Sequence, residues 1–188
     1  MRKPAFRYGP ALILIVACLG LGRTLWAEEE FRARILGGSG PNAYAAVNLK
    51  IVIESYTTKE EVLQLMGILN TNGGENFLSA FRKIDKGSLL LIGGRGLNVR
   101  LHAAHSTPTE KGRRILLFTE RQSWDVGVSQ RSEGRYPFMV IELDVNAKGE
   151  GSGRIYEAAQ IRLNNQGVIE MESYNSTPKQ LVAVRLQK

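Results

Sequence analysis

The sequence predicts an α+β domain: a mainly antiparallel sheet or partly closed β-barrel of about eight strands, with a two-helix insertion after the first strand. Three observations carry this prediction. From Ser88 onward, short segments of alternating polar and apolar residues are separated by brief polar turns, the pattern of antiparallel neighbours. Helical periodicity is confined to one stretch, residues 58–84. Strands and helices do not alternate along the chain, which excludes a doubly wound parallel sheet.

The first 27 residues read as an address. Arg2, Lys3 and Arg7 precede an apolar run at 11–21, and Gly22-Arg23-Thr24-Leu25-Trp26-Ala27 follows. A basic start, a short apolar stretch and a small residue at the cut describe a secretory signal peptide. The run is shorter than the roughly 20 apolar residues that a spanning helix needs. Cleavage is expected after Ala27, although Leu25 stands where a small residue is usual. A second reading takes Ile15-Val16-Ala17-Cys18 as the lipobox of a bacterial lipoprotein, with Cys18 acylated as a membrane anchor. The third is an uncleaved anchor.

Residues 28–42 are expected to be a flexible linker, because Gly37-Gly38-Ser39-Gly40-Pro41 has no periodicity and two kinds of breaker. The ordered domain is then expected at 43–188. Val47, Leu49, Ile51 and Ile53 alternate with polar residues and predict a half-buried strand. Thr58 and Glu61 form a capping box, and Val62, Leu65, Met66 and Leu69 fall on one helical face. Asn70-Thr71-Asn72-Gly73-Gly74 is expected to end that helix. Phe77, Leu78, Phe81 and Ile84 predict a second, shorter one.

The remaining strands are expected at 88–92, 97–103, 113–121, 138–145, 154–163, 168–174 and 181–186. The centre of the 113–121 strand, Ile115 to Phe118, is apolar on both faces and belongs inside a sheet. Asn146-Ala147-Lys148-Gly149 is a hairpin turn.

Several phrases of the C-terminal half occur together in one order. They are Leu101-His102, the strand opened by Arg113-Arg114-Ile115, Tyr136-Pro137-Phe138 with Ile141-Glu142-Leu143, and Glu172-Ser173-Tyr174. In these the chain resembles a family of small exported bacterial proteins to which no activity is assigned. The resemblance runs from about Val47 to Arg185; Ser173 and Glu120 depart from it, where Asn and Asp are expected. It implies an exported single domain and carries no site residue.

Charge adds little about partners. The chain has 25 Lys and Arg against 18 Asp and Glu, a net charge of +7. Cleavage after Ala27 removes four cations and no acid, which leaves +3. The basic residues are scattered among acids, so no nucleic-acid partner is expected. The single Cys excludes a disulfide framework.

Chemistry-bearing motifs are weak. His102 and His105 have metal-like spacing, but residues three apart on a strand point to opposite faces unless a bulge intervenes. No metal and no cofactor are therefore expected. Glu142 with Asp144, and Glu170 with Glu172, are carboxylate pairs on strand faces that read as solvated, with Lys148, Arg154 and Arg162 available across strands. Gly93-Gly94-Arg95-Gly96 matches no phosphate loop and reads as a turn. No catalytic residue is assigned. Residues 122–135 form a long loop of the kind that is often functional. Arg100, His102, Arg121 and Trp124 are the expected ligand-binding residues around it. The function expected is an exported, non-enzymatic domain that binds a small molecule, lipid or envelope component. The alternatives are a hydrolase or isomerase using strand carboxylates or His102, and a protein–protein interaction module.

Overall fold

The computed structural model describes residues 28–36, 47–92, 98–121, 138–163, 169–173 and 178–187. These form β1 (Glu29–Leu36), β2 (Val47–Ile53), α1 (Lys59–Phe81), β3 (Gly87–Ile92), β4 (Asn98–Leu101), β5 (Ala103–Thr109), β6 (Gly112–Glu120), β7 (Phe138–Asn146), β8 (Glu150–Leu163), β9 (Ile169–Ser173) and β10 (Lys179–Gln187). All ten strands belong to one sheet and every pairing is antiparallel. The path runs β4-β3-β2-β1-β10-β8-β7-β6-β5, with β9 attached to β8.

The two ends of that path, β4 and β5, are consecutive in the chain and joined at His102. The 98–109 stretch thus pairs with β3 through its first half and with β6 through its second. The sheet thereby curls into a nearly closed barrel, which removes most unpaired edges. The corner is a β-bulge. The N–H of His102 donates to the carbonyl of Phe118, and Ala103 also stands opposite Phe118, so two residues face one. Segment 54–57 fills the wall beside β5, where the Thr57 N–H donates to the Ala104 carbonyl and the Ala104 N–H to Thr57 Oγ1.

Alternation explains both layers of the core. Inward positions of the barrel strands supply one cluster, including Phe31, Leu49, Ile51, Leu89, Leu101, Ile115, Leu117, Met139, Ile141, Leu143, Ile155 and Leu181, all essentially inaccessible. The lumen is filled by side chains, as expected for a small barrel. Outward positions of β6, β7 and β8 supply a second cluster of Phe118, Phe138, Val140 and Ala159, against which Leu65, Phe77, Leu78 and Phe81 of α1 pack. Phe138 meets Phe77 and Phe81 edge-on, with centroids 5.9 and 5.3 Å apart. The doubly apolar centre of β6 is thereby accounted for: one face lines the lumen and the other carries the helix.

Several expectations need correction. Residues 29–36 are not linker but β1, a central strand between β2 and β10. Phe31, Ala33 and Ile35 alternate with Glu30, Arg32 and Arg34, a signal hidden by the glycine-rich run behind it. Helical backbone is continuous across Asn70–Gly74, where a break was expected. Packing of both ends of α1 on the sheet, together with the capping box at Thr58 and Glu61, holds one helix where local propensity favours two. β5 runs to Thr109 through Pro108, into the expected turn; its pairing side ends there, and an edge position tolerates a missing N–H.

At β10 the register slips between Leu181 and Val184. Ala183 takes up the extra residue at φ 51°, a left-handed conformation that costs a residue with a Cβ. Gly149 closes the β7–β8 hairpin at φ 77°.

Candidate functional site

The expected ligand-binding residues do not converge among the described residues. Arg100 is on the outer side of β4, exposed, with its Nε 3.1 Å from Asp85 Oδ2. His102 is at the bulge and is buried, not on an exposed polar face. Its Nδ1 donates to the carbonyl of Ile84 at 2.8 Å, and its ring lies 5.0 Å from that of Phe81. His102 is therefore a strut between the β4–β5 corner and the end of α1. Arg121 follows β6 and is half-buried. Trp124 and its loop, Gly93–Gly96 and Cys18 lie outside the described residues.

The bulge changes the histidine geometry. Leu101 and Ala104 belong to the lumen cluster, while His102 and Ala103 touch the helix layer, so alternation slips by one residue. His105 is exposed. Among the described residues no group of three metal-binding side chains occurs.

Three polar clusters replace the expected site. The first surrounds Glu142, which was expected to be solvated and is instead 8% exposed. Register places it beside Leu116 and Arg154, with Arg114 opposite Asp144. Arg114 Nε stands 3.1 Å from Glu142 Oε1 and 2.8 Å from Asp144 Oδ1. Glu142 Oε2 accepts from Tyr156 at 3.1 Å and from Arg154 Nη1 at 3.5 Å. Both carboxylate oxygens are thus occupied by donors on the outer face of β6–β8. This arrangement ties β6, β7 and β8 together through their outward side chains. The side chains of Glu170 and Glu172 lie outside the described set.

The second cluster closes one mouth of the barrel. Glu29 and Arg113 occupy inward register positions, continuing the rows of Phe31 and Ile115. Arg113 Nη2 lies 2.8 Å from Glu29 Oε1, and Tyr56 Oη donates to Glu29 Oε2 at 2.7 Å. Arg113 also stands over the ring of Phe31. Burial, and then the bond to the Glu29 carboxylate, push the Tyr56 hydroxyl far above its ordinary range. The hydroxyl stays protonated as a donor, suited to a plug and not to a base.

The third cluster is buried beneath the helix start. Lys86 is 6% exposed, and its Nζ lies 2.7 Å from Glu61 Oε1 and 3.5 Å from Ser55 Oγ. The other oxygen of Glu61 accepts from the Thr58 N–H at 2.8 Å. Burial raises the Glu61 carboxyl, but Lys86 and the Thr58 N–H outweigh it and hold the group below the usual range.

Sequence reasoning missed the second and third clusters. The period of β6 already put Arg113 on the inward row with Ile115 and Leu117, which was a readable signal. Nothing local marked Lys86, whose partner is 25 residues away.

A groove of about 500 Å³ lies at the tips of the β5–β6 and β7–β8 hairpins, lined by Lys111, Arg113, Arg114, Asp144, Asn146 and Glu150 among others. Its charges are mixed, and Arg113, Arg114 and Asp144 among them are already paired. No described helix is long and apolar enough to cross a membrane. No family model matches the chain, and neither the curated proteins nor the solved structures contain a match.

Proposed function

We propose that this is an exported, non-enzymatic domain that binds an envelope component through the outside of its barrel. The observation that carries the reading is the filled lumen: inward side chains of nine strands form one apolar cluster, so the barrel wall is what it offers to a partner. The committed oxygens of Glu142 and the buried, hydrogen-bonded ring of His102 weigh against the hydrolase and isomerase alternative. Export rests on the basic start and apolar run before Ala27, and on the resemblance to small exported bacterial proteins. Cleavage after Ala27 would leave every described strand in the mature chain, since β1 begins at Glu29. Acylation at Cys18 would leave it too, with a tether.

Fractionation with intact-mass measurement tests export: the expected product lacks residues 1–27 and is found outside the cytoplasm. Co-sedimentation with isolated envelope fractions tests binding. Retention with the envelope is the expected result. A chain that stays soluble beside envelope material, yet takes up an apolar dye stoichiometrically, would overturn the reading in favour of a small-molecule carrier.

A further inference from the structure

The outer wall formed by β10, β1, β2 and β3 is the opposite of the helix-covered wall. Its outward positions carry Arg32, Arg34, Lys50 and Arg185 against the single carboxylate of Glu30. Register puts Arg32 opposite Lys50 on one side and opposite Arg185 on the other, and Arg185 in turn opposite Glu150 at the edge of this wall on β8. Three cations therefore stand in a row across three strands, an arrangement that destabilises a sheet. Glu30 offsets part of it, 2.7 Å from Lys50 Nζ and 3.2 Å from Arg32 Nε. The bond to Lys50, more than any other contact, holds the Glu30 carboxyl below the usual range. Arg34 and Arg185 have no ion-pair partner among the described residues.

Apolar side chains flank these cations. Leu36 and Ile92 are 43% and 40% exposed, and Val52 and Leu90 are half-buried on the same outward rows. A soluble polyanion would use only the charges. A bilayer surface uses both, with phosphates meeting the guanidiniums and the acyl boundary meeting the apolar tips. The strand at the centre of this wall is also the one nearest the apolar run at 11–21. Seven residues lie between Leu21 and Glu29, so the chain reaches at most about 29 Å from one to the other.

We propose that the β10–β1–β2–β3 wall docks on an anionic phospholipid surface. This rests on the envelope reading above and names the component. The wall supplies the attraction, and a retained or acylated N-terminal segment would supply a tether to the same surface.

The test is co-sedimentation of the full chain with vesicles of phosphatidylglycerol mixed with phosphatidylcholine, and with phosphatidylcholine alone. Residues 1–7 bring charges of their own, so the deciding comparison is with an Arg34→Gln, Arg185→Gln double variant. Each cation at such a surface contributes about fivefold in affinity, so the double variant is expected to bind the mixed vesicles about 25-fold more weakly. Binding of the unaltered chain is expected to weaken as salt is raised. A Leu36→Ser, Ile92→Ser variant is expected to lose the part that survives salt. Matching circular dichroism and melting curves would show that the variants fold. An unchanged affinity in the double variant, or salt-independent binding, overturns the proposal. Binding to whole envelope fractions without binding to the vesicles also overturns it, while leaving the envelope reading standing. Failure to bind either removes both.

Discussion

On β6 and β7 the outward side chains include Leu116, Phe118, Phe138 and Val140; on β1 and β2 they include Glu30, Arg32, Arg34, Asn48 and Lys50. Both pairs of strands present Phe, Ile, Leu, Val or Met to the same lumen. The difference lies wholly on the outside, and it decides where α1 sits. A helix covers the wall whose second face is apolar and leaves the charged wall bare among the described residues. The inner face is common to the whole barrel, whereas the outer face is where this protein is differentiated.

The largest effect should come from breaking the helix-covered wall. Phe138→Ala removes a ring that meets both Phe77 and Phe81, and is expected to cost about 3–5 kcal/mol in urea unfolding. A loss under about 1 kcal/mol would show that α1 lies outside the cooperative unit.

The Lys86–Glu61 pair sharpens the same point at the helix start. Lys86 is nearly inaccessible, whereas the Glu61 side chain is one-third exposed. Glu61→Gln keeps an amide oxygen that can accept from the Thr58 N–H, but leaves the buried Lys86 ammonium without a countercharge, at about 2–3 kcal/mol. Lys86→Met leaves a carboxylate that water can reach, and is expected to cost about half as much. Equal losses would show that both groups are solvated.

Acid should act through the same carboxylate. The Glu61 pKa is depressed on folding, so its contribution is present above the unfolded carboxylate value of about 4.3 and is lost as pH falls through the folded value. Melting temperatures followed downward from pH 7 should therefore decline on the acid side, and less steeply in Glu61→Gln. Parallel curves would assign the acid sensitivity to other groups.

The bare wall should respond least. Arg185→Gln removes a cation that stands between Arg32 and Glu150, a like and an opposite charge that offset one another, and is expected to change stability by no more than about 0.5 kcal/mol. On the same strand, Ala183→Gly relieves a left-handed backbone and should add up to about 1 kcal/mol. A clear loss from Arg185→Gln would mean that the charged row has a structural partner.

Much of the fold was legible because alternation is a local signal. β2, β3, β6, β7, β9 and β10 fall within a few residues of their expected positions, and the capping box at Thr58 and Glu61 opens α1 as read. β1 was missed because its alternation sits between an apolar address segment and a glycine run, where composition suggests a tether. The candidate site was legible only residue by residue. Arg100 and His102 were expected to share one polar strand face; Arg100 is outward and paired with Asp85, whereas His102 is buried at the bulge and bonded to Ile84.

The sequence by itself determined the strand-rich class, the antiparallel order of hairpins, the filled two-sided character of β6 and the position of the helix within the chain. These follow from period and turn chemistry, which neighbouring residues carry. The tertiary structure alone decided that β4 and β5 are one bent stretch closing the barrel, that β1 joins β10 across the whole length of the chain, and that Glu29, Tyr56 and Arg113 share a mouth. Those contacts join residues far apart in sequence, and their energy appears only when the sheet curls and both partners leave water together.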